Sequence, residues 1–347
     1  MVLEKKGHLI NFAWCSDIYH PIERGTAMGC FLAGTAIGPA FGPFIGGIVV
    51  TYTSWRVIFY VQTIPSFIAA VSASTPLLPE TIHHKTSLAS ASPCEKIFFL
   101  WSLLHPLRVL SLLFSCPNLI VVSLSTSAIL WNMYSLLTPI RYVLNPRFEL
   151  ATPLQGGLFY LAPGCGYLLG SVLGGRYADY MTKLWITKRN GIRLPEDRLR
   201  AAIPFMGFFI PVCVLAYGWG VQKNFGGIPL VVAMLFLQGI AQLFSFSTLN
   251  TYCLDVIQNR SAEVVAGNYF VRYLFACAGT AVVLPVVEAI GVGWFSTISA
   301  GFLLLCAVLT LATIRWGERW RQKFEKGAVE IEAINVKIGR SLLEEQS

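Results

Sequence analysis

Residues 34–47 read Gly34-Thr35-Ala36-Ile37-Gly38-Pro39-Ala40-Phe41-Gly42-Pro43-Phe44-Ile45-Gly46-Gly47. A glycine stands at every fourth position (Gly34, Gly38, Gly42, Gly46), so on an α-helix these glycines share nearly one face. Lipid supplies no hydrophobic drive for helices to associate, and close backbone approach along such small-residue stripes replaces it. Pro39 and Pro43 lack the N–H that would bond four residues back. The carbonyls of Thr35 and Pro39 therefore lose their usual partners, which predicts a kink or hinge. An inert, tightly packed helix interface is the plainer alternative for a single Gly-x-x-x-Gly. Four glycines interleaved with two prolines are more specific.

The stripe lies in an apolar run long enough to cross a bilayer, and similar runs of about 20 residues recur along the chain. Hydrophobic residues make up 55% of the 347 and charged residues 13%, against roughly a quarter charged in a soluble domain. The mean hydropathy is +0.61. The fold class that follows is an all-α polytopic transmembrane helical bundle, with spans near 26–50, 56–78, 117–141, 154–177, 200–221, 226–252, 263–288 and 291–314. Most of the nine cysteines lie inside apolar segments, where cysteine behaves as a small hydrophobe, so neither disulfides nor a metal site are expected. His83-His84 is too isolated to hold a metal.

The net charge of +8 is spread over loops rather than gathered on one module, which argues against a nucleic-acid partner. Basic residues concentrate in the linker (Lys85, Lys96, Arg108), after span four (Lys183, Lys188, Arg189, Arg193, Arg198, Arg200) and in the tail from Arg315. Lys and Arg are retained on the cytoplasmic side, so these segments and both termini are expected there. The Asn259-Arg260-Ser261 sequon then faces the cytoplasm. The chain divides into a cytoplasmic N-terminal segment (1–25), an incomplete N-terminal bundle of two spans (26–79), a cytoplasmic central linker (80–116), a C-terminal six-span bundle (117–315) and a cytoplasmic tail (316–347).

One internal repeat is visible. Span one opens with Asp17, then Arg24 and small residues, and span seven opens with Asp255, then Arg260 and small residues. Each leads into a Gly- and Pro-bearing span, a short turn with a tryptophan (Trp55, Trp294) and another apolar span. Spans one and two thus look homologous to seven and eight. Spans three to six have no counterpart before span one.

With these features together, the sequence resembles the major facilitator superfamily, particularly its twelve-span fungal drug:proton antiporter branch. The glycine-proline residues Gly34, Gly38, Pro39, Gly42, Pro43, Gly46 and Gly47 resemble that branch's fifth-span antiporter motif. Ser54-Trp55-Arg56-Val57-Ile58-Phe59, Leu78-Pro79-Glu80-Thr81 and the glycine-rich 156–166 follow in the family's order. Gly174 to Lys183 is similar to the family's cytoplasmic gating-loop signature, matching at Gly175, Asp179 and Lys183 but departing at Tyr180 and Thr182. The resemblance runs from about Asp17 to Trp320 and makes these spans five to twelve of the pattern, with the first four absent.

The resemblance implies a secondary active transporter of the plasma membrane that exports drugs or small organic metabolites by proton antiport. It would act as a monomer, with the lipid bilayer, a small organic substrate and protons as partners, and with no cofactor. Fold does not fix substrate, so uptake of a polyamine or other small organic cation stays open. So does a truncated, transport-inactive remnant, because alternating access uses two six-helix halves around a midplane site. An enzyme is not expected, since the spans carry no paired acids, His cluster or nucleophile-and-base arrangement.

Polar residues within spans face a cavity or another helix. Ser127, Trp131, Tyr134 and Thr138 in span three, and Gln238, Gln242 and Ser245 in span six, recur at helical spacing. They are candidates for a substrate-lining surface, with interhelical hydrogen bonding as the equal alternative. Asp17, Arg24, Asp179, Asp255, Arg260 and Arg272 are candidate gating or structural charges. Asp179 is expected to pair with Arg260 and to face the positive end of a neighbouring helix. Arg272, about two turns into span seven, is expected in a network with Asn268 and Glu263 or reaching back to the headgroups. The Gly34-to-Gly46 face is expected to pack on Gly166, Gly170 and Gly174 of span four.

Overall fold

A computed structural model describes residues 19, 22–74, 106–150, 152–257 and 261–344. Helices α1 (Arg24–Tyr52), α2 (Arg56–Ser74), α3 (Pro106–Ser115), α4 (Pro117–Leu137), α5 (Pro153–Lys188), α6 (Ile210–Gln222), α7 (Gly227–Val256), α8 (Ser261–Ile290) and α9 (Val292–Glu344) carry the architecture. Among the described residues there is no strand. Among the described residues, seven helices are long and apolar enough to cross a membrane, and α2 is a shorter apolar helix. The chain is an all-α polytopic bundle. Asp17, Arg260, His83, His84 and most of the central linker lie outside the described residues.

Several helix boundaries have a visible cause. α5 starts at a reciprocal cap, in which the Thr152 hydroxyl accepts from the Gln155 N–H and the Gln155 side chain accepts from the Thr152 N–H. Pro153 occupies the first turn, where its missing donor costs nothing. Two five-residue π-helical stretches, Ile140–Leu144 and Phe205–Phe209, extend α4 and precede α6. The prolines Pro39 and Pro43 are absorbed within a continuous α1.

Of the two expected glycine stripes, the one on α5 finds a partner, and that partner is not the stripe on α1. α5 lies between α1 and α7. Its Gly166, Gly170 and Gly174 face Phe236, Gly239, Ile240 and Phe244 of α7, where a Cβ at Gly170 would stand 2.8 Å from the Ile240 Cα. α1 meets the other side of α5 through Gly25 and Gly29 against Ser171 and Gly175, and through Gly47 against Pro153. A Cβ at Gly34, Gly38, Gly42 or Gly46 would meet nothing within 4 Å. The expected pairing of α1 with α5 is present, while the expected faces are wrong. α1 has small residues on more than one face, and the register that packs continues from Gly25 and Gly29.

The main hydrophobic core fills the bundle from α3 to α9, with Leu119, Leu144, Met206, Leu249 and Leu303 among its buried members. A smaller core joins α1 to it through Met28, Leu32, Tyr167, Leu243 and Leu254. α2 leaves Phe59, Tyr60, Ile64, Phe67 and Ile68 exposed. In lipid such a surface costs nothing, because acyl chains are as apolar as the side chains.

Candidate functional site

The ends of α1, α5 and α7 meet the 189–200 loop at the basic end of the bundle. Asp179, near the end of α5, accepts from the Gly25 N–H at 2.9 Å and from the Thr26 N–H and hydroxyl, both at 2.7 Å. It therefore sits on the positive N-terminal end of α1, as its carboxylate favours. Arg198 Nη1 stands 3.4 Å from the same carboxylate. Arg198 is the cation that the described residues place beside Asp179, and Arg260, the expected partner, lies outside them.

Asp255, in the last turn of α7, is buried among three arginines. Arg24 Nη1 lies 2.8 Å from its Oδ1, while Arg193 Nη2 at 2.8 Å and Arg198 Nε at 3.3 Å approach its Oδ2. Arg198 is 1% exposed and bridges Asp179 to Asp255. Burial lowers its pKa, and the two carboxylates oppose that shift. The loop that presents it is held by Asp197, which pairs with Arg189 and Arg200 at 2.9 and 3.1 Å. The Arg200 guanidinium also stacks 3.9 Å from the Trp185 ring centroid. In the sequence, Arg193 and Arg198 mark only the cytoplasmic side. Their one legible sign was the acid-base alternation of Arg193, Glu196, Asp197 and Arg198.

Midway along the bundle, α1, α4, α5, α7 and α8 line a partly open cavity of about 140 Å³. Leu32, Thr35, Ala36 and Pro39 line it from α1, Tyr134 from α4, Tyr167 from α5, Gln242 and Phe246 from α7, and Tyr269, Arg272 and Tyr273 from α8. Of the seven residues suggested by helical spacing, Tyr134 and Gln242 reach this space. Trp131 instead donates to the Ser299 hydroxyl of α9 at 3.1 Å and packs near Phe295 and Phe302. The hydroxyls of Ser127 and Ser245 bond back to the Ser123 and Ala241 carbonyls of their own helices. Gln238 is buried outside the cavity, and Thr138 caps α4 rather than lining the space. Residues three apart on a helix differ by about 60° in direction, enough to send Trp131 and Tyr134 to different neighbours.

Arg272 points into the cavity rather than toward headgroups. Its guanidinium lies 3.9 Å from the Tyr269 ring centroid, 4.7 Å from Phe246 and 5.3 Å from Tyr273. Nη1 is 3.5 Å from the Asn250 Oδ1, which Asn268 also approaches, and Asn268 accepts from the Thr126 hydroxyl at 2.7 Å. The expected link to Asn268 therefore runs through Asn250. The triplet Tyr269, Arg272 and Tyr273, at i, i+3 and i+4, was the sequence signal for this face.

A bundle of membrane-length helices thus holds a cavity partway along its length and a charge cluster that ties α1 to α5, α7 and the 189–200 loop at one end. The chain belongs to the Major Facilitator Superfamily, whose family model matches residues 9–280. It is similar to the efflux pump radE of Floropilus chiversii, 27% identical over 86% of this chain and 58% of that protein. It is also similar to the MFS-type transporter penM of Penicillium rubens, 28% identical over 88% of this chain and 62% of that protein. A third relative is dityrosine transporter 1 of Saccharomyces cerevisiae, 25% identical over 89% of this chain and 60% of that protein. The chain thus spans about three-fifths of the length of these relatives.

Proposed function

We propose that the chain serves a secondary transporter that exports small organic metabolites or drugs across the plasma membrane in exchange for protons. The observation that carries this reading is the aromatic and polar cavity shared by α1 and the C-terminal bundle, with the Asp179–Arg198–Asp255–Arg24 cluster at the basic end. Substrate would stack on Tyr134, Tyr269 and Tyr273 and bond to Gln242. The charge cluster would hold the cytoplasmic side shut, and its ion pairs would exchange for water when that side opens. The efflux pump and the dityrosine transporter among the relatives support export of aromatic metabolites.

The test is flux through the full chain in proteoliposomes under an imposed pH gradient, with labelled dityrosine and a small set of aromatic drugs. Gradient-driven accumulation that a protonophore collapses is the expected result. Equal flux with and without the gradient replaces antiport with facilitated movement. No flux from a folded chain overturns the transport reading.

A further inference from the structure

Arg272 is 3% exposed and stands eleven residues into α8, about 16 Å from the start of that helix. A cation at that depth is costly and takes a partner. Among the described residues, the other arginines buried to a similar degree, Arg24 and Arg198, each face carboxylates. Among the described residues no carboxylate lies within 4.0 Å of Arg272, and its Nε has no hydrogen-bond partner. The aromatic faces of Tyr269, Phe246 and Tyr273 offset part of the cost without neutralising the charge. Gln242 lines the same cavity. Its amide nitrogen donates to the Ile129 carbonyl at 2.8 Å, which leaves its buried Oε1 without a donor.

Arg272 and Gln242 therefore bring buried, unpartnered atoms of opposite need to the wall of one aromatic space: the Nε donor of Arg272 and the Oε1 acceptor of Gln242. We propose that this cavity selects aromatic organic anions that carry a hydroxyl or N–H. The ring stacks among Tyr134, Tyr269, Tyr273 and Phe246, the carboxylate accepts from Arg272, and the ligand's own donor bonds to Gln242 Oε1. An ammonium ligand meets an unneutralised cation at low dielectric and is rejected. This rests on the transport reading for its purpose and adds the charge of the substrate.

The experiment is direct binding to the purified full chain in nanodiscs, with three probes of one shape: indole-3-acetate, indole-3-acetamide and tryptamine. The acid binds at least tenfold tighter than the amide, and tryptamine does not compete. Arg272→Gln removes the preference for the acid, Arg272→Lys keeps part of it, and Gln242→Leu weakens acid and amide alike. Thermal unfolding of each variant identifies any that fails to fold, and the lysine variant keeps the charge test open in that case. Equal affinity for acid and amide, tighter binding of tryptamine, or unchanged acid binding in Arg272→Gln overturns the anion assignment. So does failure of the folded wild-type chain to bind the acid. Binding of the amine, or of the amide as tightly as the acid, that depends on Tyr134 leaves the transport reading standing while the anion assignment falls. No binding together with no flux removes both.

Discussion

Arg24 at the start of α1 and Asp255 at the end of α7 form a buried ion pair, 231 residues apart in sequence and 2.8 Å apart in space. In the internal repeat, Arg24 belongs to the start of span one and Asp255 to the start of span seven, so the pair crosses between the two copies. Each copy thus helps neutralise the other at the basic end. The pair links α1 to the C-terminal bundle together with the bonds from Gly25 and Thr26 to Asp179.

Asp255→Asn leaves Arg24, Arg193 and Arg198 gathered around a neutral side chain. Breaking a buried pair from one side costs about 3–5 kcal/mol. Thermal unfolding in detergent should show a large loss, and Arg24→Gln a smaller one, because Arg193 and Arg198 still satisfy Asp255. Equal stability of Asp255→Asn and wild type would show that the cluster is solvated.

Asp179→Asn keeps the shape of the carboxylate but removes the charge that sits on the α1 N-terminus and beside Arg198. Spin labels on α1 and α7 at the basic end should report a wider distance distribution in this variant, and labelled-substrate flux should change with it. Unchanged distances and unchanged flux in a folded protein would sink the gating role.

The glycine contacts separate positions that the sequence makes look alike. Gly170→Val drives a side chain into the Ile240 backbone, and Gly175→Val drives one into Gly25. Overpacking of this kind costs about 1–3 kcal/mol where neighbours can move, and backbone moves less readily than side chains. Gly38→Ala meets open space and should be neutral or gain about 0.5–1 kcal/mol from helix propensity. Melting temperatures of the three variants decide it, and a loss at Gly38 matching that at Gly170 would refute the packing described.

Glu196, in the 189–200 loop, is raised above its ordinary 4.5, first by burial, with Glu318 and Asp197 adding to the rise and Arg321 opposing it. Arg321 stands 3.8 Å away, and Tyr252 and Cys116 also lie within its field. The fold thus favours the neutral acid. The stability this confers is fully present below the unfolded-state value and is lost as pH rises through the elevated folded-state value. Wild type should therefore lose stability as pH climbs from about 4.5 toward neutral. Glu196→Gln should flatten that slope and raise the melting temperature at pH 7, and an unchanged slope would assign it to another group.

Trp131 and Tyr134 test the placement of the cavity. Trp131→Phe loses the hydrogen bond to Ser299 and should cost about 1 kcal/mol of stability while leaving ligand affinity nearly intact. Tyr134→Ala should weaken ligand binding with the smaller effect on unfolding, since it faces open space. Reversed phenotypes would move the binding surface to α9.

Much of this protein was legible from residue order because lipid imposes simple rules. Backbone groups in a bilayer must be satisfied within each span, so apolar runs of sufficient length became helices, α1 and α4 to α9 among them. The family resemblance carried by Gly34 to Gly47 and by Gly174 to Lys183 agrees with the matched family model over residues 9–280. Helical periodicity also picked out Tyr134 and Gln242, although it could not separate them from Trp131 and Gln238, which share their faces to within one side-chain row.

Composition and periodicity determined that the chain is a bundle of membrane helices with smooth glycine faces and a few costly charges. Tertiary structure alone decided which smooth face found a partner, which arginine met which acid, and where Arg272 was aimed. The physical reason is that a helix fixes the direction of a side chain but not the identity of its neighbour. Gly25 and Gly34 present equally smooth surfaces, and only the position of α5 tells them apart. Arg198 was one basic residue among several in a loop until that loop folded across two helix ends and placed its guanidinium between Asp179 and Asp255.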